Sequence, residues 1–160
     1  MAQQSNKKLD RIDRNILVEL QKNGRLSNVE LSKRVGLSPT PCLERVKRLE
    51  NDGYIVGYCA VLDPVKLDAA LLVIVEITLE KTSPDVFDEF SKAVQGLDVI
   101  QECHLVSGDF DFLLKTRVKD MAAYRELLGD TLLRLPAVSE SRTYVVMEEV
   151  KSSNVLPIKR

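Results

Sequence analysis

The sequence is short of the groups that most chemistry requires. It holds one histidine, His104, and three cysteines, Cys42, Cys59 and Cys103. Three is an odd number, the spacings are wide, and no C-x-x-C occurs. That excludes a disulfide framework, and one imidazole cannot complete a zinc site with these thiols. The cysteines are expected to be reduced and mostly buried. His104 reads as an edge or packed residue of a strand. No Ser/His/Asp order, pair of buried carboxylates or glycine-rich phosphate loop is visible, so no catalytic residue and no cofactor is expected. Long apolar runs are lacking too. The longest, from Ala69 to Val75, stops at Glu76, well short of the roughly 20 residues of a membrane span. The stretch from Met1 to Lys8 has no apolar core and does not read as a secretory signal. The expected compartment is the cytoplasm.

What is present is an ordinary globular composition, with 44% hydrophobic and 29% charged residues in a chain of 160. That length suits one medium domain or two small ones. The net charge of −1 hides an asymmetry. Residues 1–53 carry 11 Lys/Arg against 7 Asp/Glu, and residues 54–160 carry 12 against 17. A basic front end on an acidic body points to a division of labour.

The front end reads as three helices. Over residues 9–23, Asp10 can cap and Asp13 sits three residues on, followed by Ile12, Ile16, Leu17 and Leu20 at helical spacing. Ser27 with Glu30 forms a capping box for a short second helix. Leu31 and Val35 face inward, and Gly36 is its stop. The third helix begins within Ser38-Pro-Thr-Pro41, where prolines fit a first turn. Cys42, Leu43, Val46 and Leu49 are its expected inward face, and the position of Leu43 predicts a turn one residue longer than minimal. Thr40, Pro41, Glu44, Lys47 and Arg48 gather on the outer side, with Arg45 at the margin. This is a helix-turn-helix candidate. A major groove admits a helix, and its phosphate walls call for cations and hydroxyls. Ser38 and Pro39 complete the expected contact set, and Lys33 and Arg34 could meet the DNA backbone.

Behind it, Tyr54–Leu62 reads as a linker strand broken at Asp63-Pro64. Then come a strand at Leu71–Leu79, a helix from Ser83-Pro84 carrying Phe87, Phe90, Val94 and Leu97, and strands at Val99–Val106 and Phe110–Val118. A helix capped by Asp120 and a last strand at Val138–Val150 follow. The order β-α-β-β-α-β is the split βαβ, ferredoxin-like arrangement. The fold class is therefore α+β: a winged-helix-like helix-turn-helix domain at 1–53, a linker at 54–65 and a ferredoxin-like domain at 66–160. In Leu71–Leu79 the odd residues are all apolar, and Leu72 and Ile74, pointing the other way, are apolar too, as in a strand buried on both faces. The face without helices then needs a cover, and a second copy of the same sheet would make a two-fold dimer. Gly108-Asp109 is a hairpin turn signal. Asp111, alternating with Phe110 and Phe112, could hold the ammonium of an amino acid at the mouth of that turn.

The stretches Leu9–Leu17 and Asn28–Glu50 resemble the DNA-binding domain of the feast/famine (Lrp/AsnC) regulators. The likeness continues through Gln101–Arg117 and Arg142–Val150. The resemblance implies a bacterial, nucleoid-associated transcription regulator, activating or repressing genes of amino-acid metabolism. It implies double-stranded DNA as partner, and leucine or a similar amino acid as effector. It also implies homodimers joined into larger assemblies, an octamer among them. It puts the effector site at the Gly108–Asp111 turn between dimers, with Leu105, Met121, Tyr144, Val145 and Val146 as neighbours. Two alternatives stay open at this level: a nucleoid-organising protein without a ligand, and an enzyme on a ferredoxin-like scaffold.

Overall fold

The computed structural model describes residues 8–159. The segment read as lacking a secretory signal falls, but for Lys8, outside them. Contacts divide the chain into two compact units. One holds the described residues up to Val61 together with those from Lys151 on, and the other is Leu62–Val150. Among the described residues, no helix is long and apolar enough to cross a membrane.

The first unit contains α1 (Arg11–Lys22), α2 (Asn28–Val35) and α3 (Pro39–Asn51). Local chemistry sets each start. The Asp13 amide donates to the Asp10 carboxylate at 2.8 Å and the Asp10 amide to Asp13 at 3.1 Å, a reciprocal box. Ser27 and Glu30 repeat it on α2. Gly36 ends α2 at φ 74°, a left-handed conformation that costs glycine little. Ile16, Leu31, Val35, Cys42 and Leu49 form the core, with Val46 packed on it. Leu43, expected inside, is 42% exposed. The phase of α3 is set by Cys42, Val46 and Leu49, at i, i+4 and i+7, and this turns Leu43 outward. The connection from α2 is three residues long, 36–38.

Two expectations about the borders are corrected. Tyr54–Leu62 is not a strand, because it pairs with no neighbouring strand; Val56 and Val61 are almost fully exposed. It carries Cys59, which is exposed rather than buried. Tyr58 anchors it, donating to Glu50 Oε1 at 3.0 Å and lying 3.2 Å from where a side chain on Gly24 would begin. The residues after Val150, expected in the second domain, run beside α1. Gln21 exchanges two hydrogen bonds with the Leu156 backbone, and Arg14 donates to the Lys159 carbonyl at 2.7 Å.

The second unit follows the expected order: β1 (Leu71–Leu79), α4 (Pro84–Gln95), β2 (Ile100–Leu105), β3 (Phe112–Val118), α5 (Met121–Asp130) and β4 (Val138–Val145). The antiparallel sheet runs β2-β3-β1-β4. Strand alternation sends Val73, Val75, Ile77 and Leu79 of β1 and Phe112, Leu114 and Val118 of β3 into one core with Phe90, Val94 and Tyr124. Phe90 stacks on Phe112 with ring centres 4.4 Å apart, and Phe87 meets the same ring edge-on at 5.8 Å. Buried Thr116 satisfies its hydroxyl by donating to the Val99 carbonyl at 2.7 Å.

The opposite face is less apolar than β1 suggested. Ile74, Leu113 and Tyr144, beside the buried Leu72, form a patch among Glu76 of β1 itself and Glu102, His104, Lys115, Arg117 and Arg142 of the other strands. His104 lies there, exposed and paired with Glu102 at 3.2 Å. The last strand is shorter than expected and stops at Val145, although the Val146 amide still donates to the Leu72 carbonyl.

Phe90→Ala should lower the unfolding free energy by about 3–5 kcal/mol, since it leaves a cavity against Phe112. Urea unfolding followed by circular dichroism measures this, and a loss below about 1 kcal/mol would contradict the packing.

Candidate nucleic-acid interface and effector site

Lys33, Thr40, Glu44 and Lys47 are exposed on α2 and α3. Ser38, the residue before α3, has extended backbone angles and makes no capping hydrogen bond. Pro39 and Pro41 remove two amide donors from the first turn, and the Cys42 amide is used by the Ser38 carbonyl. The start of α3 therefore offers little main-chain capacity for anions. Contact with a charged duplex falls to side chains.

The basic residues are not equivalent. Arg34 Nη1 pairs with Glu19 at 3.1 Å. Arg45 Nη1 reaches Asp10 at 2.6 Å and Asp13 at 2.8 Å, and Arg48 Nη2 reaches the same Asp13 oxygen at 2.6 Å. Asp13 is 2% exposed. Three of the five expected cations are thus held by acids of α1 or its cap, which the helical wheel of α3 could not reveal. Lys33 and Lys47 have no ion pair among the described residues. The Asp13 amide and then the Arg45 guanidinium hold the Asp10 carboxyl down at about 2.

In the second unit the turn between β2 and β3 is tied to the end of β1. The Val106 amide donates to the Asp111 carbonyl and the Asp111 amide to the Ile77 carbonyl, both at 2.9 Å. Asp111 was expected to face a ligand. Its Oδ2 accepts from the Leu79 amide at 2.8 Å, so this oxygen closes the end of β1. Asp109 and Tyr144 line a cavity of about 290 Å³ on the helix-free face with Glu76, Thr78, Phe110, Glu140 and Arg142. Tyr144 donates to Glu76 at 3.1 Å, and that carboxylate pushes the phenol above its ordinary value.

Beyond the Asp109 and Tyr144 pair, the expected effector residues do not converge. Leu105, Gly108, Asp109 and Asp111 lie at the sheet end where Phe112 faces Ile77. Val145 and Val146 lie at the other end, beside Val73 and Leu72, and Met121 follows β3 there. Five strand residues, roughly 17 Å at about 3.3 Å each, separate the two ends.

A helix-turn-helix with an exposed basic face, joined in one chain to a separate α+β domain, defines a DNA-binding regulator of transcription. The chain belongs to the Lrp/AsnC family: residues 72–156 match the Lrp/AsnC ligand binding domain, and residues 9–56 match a winged helix-turn-helix DNA-binding domain. No hairpin wing follows α3 among the described residues. The chain is 74% identical over 153 residues to the leucine-responsive regulatory proteins of Escherichia coli K12 and Klebsiella pneumoniae, covering 96% of this chain and 93% of each relative. A transcriptional regulator of Neisseria meningitidis, solved as a complex with L-Met, superposes with a TM-score of 0.89 at 37% identity, over 94% of this chain and 97% of that one. An AsnC family regulator from Agrobacterium tumefaciens gives 0.88 at 36%, over 93% and 97%. Transcription regulation by DNA binding, modulated by an amino acid, is the function these likenesses support.

Two outcomes are expected. The folded-state pKa of Asp10 lies below its unfolded value, so its contribution is present above about pH 4 and is lost as pH falls toward about 2. Asp10→Asn should therefore flatten the fall of the thermal midpoint across that window, and an unchanged acid limb would refute the assignment. Asp111→Ala should cost about 1–3 kcal/mol in urea unfolding, because the Leu79 amide loses its acceptor. No loss would return Asp111 to a purely ligand-facing role.

Proposed function

We propose that this protein is a sequence-specific regulator of amino-acid metabolism genes in the bacterial cytoplasm, acting on the nucleoid as activator or repressor, and that leucine or a similar aliphatic amino acid modulates it by changing its assembly. The observation that carries this reading is the separation of the effector residues. Leu105 and the Gly108–Asp111 turn sit at one end of the sheet, and Met121, Val145 and Val146 at the other. A site using both groups takes one from each of two copies. A ligand bound across such a junction favours one assembly over another by its unequal affinity for the two.

Leu105 and Met121, 57% and 53% exposed, supply an apolar and adaptable wall. Asp109 and the remaining oxygen of Asp111 supply negative charge for an ammonium. The patch of Ile74, Leu113 and Tyr144 supports a dimer in which two sheets stack on their helix-free faces, with further dimers joining into an octamer. At the front, Ser38, Pro39, Thr40, Pro41, Glu44 and Lys47 face the groove and Lys33 meets a phosphate, while Arg34, Arg45 and Arg48 act from their pairs with α1 and its cap. Paired recognition helices of a dimer suit a palindromic site with half-sites about one helical turn apart.

Assembly size against leucine concentration, measured by light scattering on the full chain, tests the effector. The size should shift within the millimolar range, with a coupling of about 1–3 kcal/mol. Parallel titrations with methionine rank the two side chains. A size that ignores both ligands would sink the effector reading and favour an architectural DNA-binding protein without a ligand. For the DNA face, Lys33→Gln and Lys47→Gln should each reduce the slope of log affinity against log salt by about 0.9. Slopes equal to wild type would remove those lysines from the phosphate contacts.

A further inference from the structure

Arg45 and Arg48 sit on the helix that enters the groove, yet both point back to α1. Their guanidinium groups converge on one carboxylate oxygen of Asp13, at 2.8 and 2.6 Å, and Arg45 also reaches Asp10 at 2.6 Å. Two acids and two guanidiniums make a neutral cluster. Asp13 is buried while the two arginine side chains keep 26% and 33% exposure. A buried carboxylate holds its cations strongly, because releasing them would leave its own charge without compensation. A phosphate of the duplex, wet and screened by its counterions, is a weaker competitor for the same guanidinium.

We propose that Asp13 is a positioning residue for DNA recognition: it withholds Arg45 and Arg48 from the phosphate contacts and fixes them on α3. This rests on the DNA-contact reading above and deepens it. Non-specific affinity for DNA comes almost wholly from cations that displace phosphate counterions. By neutralising two of the five cations of its helix-turn-helix from within, the protein limits that sequence-independent term. Lys33 and Lys47, which make no ion pair among the described residues, supply it instead. The oxygen of Asp13 that faces the arginines is distinct from the one that accepts the Asp10 amide at 3.1 Å. Asn at this position can keep the cap while giving up the charge.

The experiment uses the full-length protein and a random-sequence duplex, with affinity measured by fluorescence anisotropy across a salt series. Asp13→Asn frees Arg48, while Arg45 keeps Asp10. The slope of log affinity against log salt should steepen by about 0.9, and low-salt affinity should rise several-fold. The double variant Asp10→Asn/Asp13→Asn frees both arginines and should steepen the slope by about 1.8. A merely structural role for Asp13 would weaken binding and leave the slope as it was or shallower. Circular dichroism establishes that each variant is folded. Should neither fold, Arg48→Gln carries the test alone: its slope should change by less than half of the roughly 0.9 expected for a phosphate contact. A fall of about 0.9 at Arg48→Gln, or folded Asp13→Asn with an unchanged slope, overturns the proposal while DNA binding stands. A wild-type affinity that does not fall with salt overturns the DNA-contact reading and the proposal with it.

Discussion

A carboxylate at 2% exposure cannot be left uncompensated, and Asp13 is such a group. Its charge draws Arg45 and Arg48 toward α1, in keeping with the rotation of α3 that its apolar residues set. That rotation brings Cys42, Val46 and Leu49 onto Ile16 and Leu31, and leaves Thr40, Glu44 and Lys47 outside. The capping box of α1 depends on the same side chain, because the other Asp13 oxygen accepts the Asp10 amide. One residue thus joins a helix start, an interhelical ion cluster and the presentation of a recognition surface. Stability and function meet here at the level of a single charge.

The second unit is organised by a different constraint. β1 lies between β3 and β4, so its backbone is paired on both edges. The side chains that point toward α4 and α5 make the core, and those that point away make a mixed patch. The Asp111 carboxylate and the Asp111 amide both bond the end of β1, so the β2–β3 turn is a rigid extension of the central strand.

Much of this was legible from local chemistry. Asp10 with Asp13, Ser27 with Glu30, Gly36 and Asp120 all work as cap or stop residues, because a cap interacts with residues only a few positions away. The alternation in Leu71–Leu79 located β1 to the residue, and the order of elements followed. Leu43 was misplaced because two phases of α3 satisfy helical periodicity almost equally. The choice between them came from packing against α1. The linker failed as a strand for a related reason: β propensity in Tyr54–Leu62 describes a fitness for pairing, and pairing needs a partner.

What the sequence determined by itself is the set of elements, their caps and stops, the family, and the basic character of the front end, all of which rest on neighbours within a helical turn or a strand period. Only the tertiary structure decided which cations are already spent on α1 and its cap, which oxygen of Asp111 is occupied, and that the residues after Val150 return to α1. It also decided that Leu105 and the Gly108–Asp111 turn stand at one end of the sheet, and Met121, Val145 and Val146 at the other. These depend on contacts between residues 15 to 145 positions apart. No local pattern encodes such distances, because they are fixed only when the helices and strands close on one another.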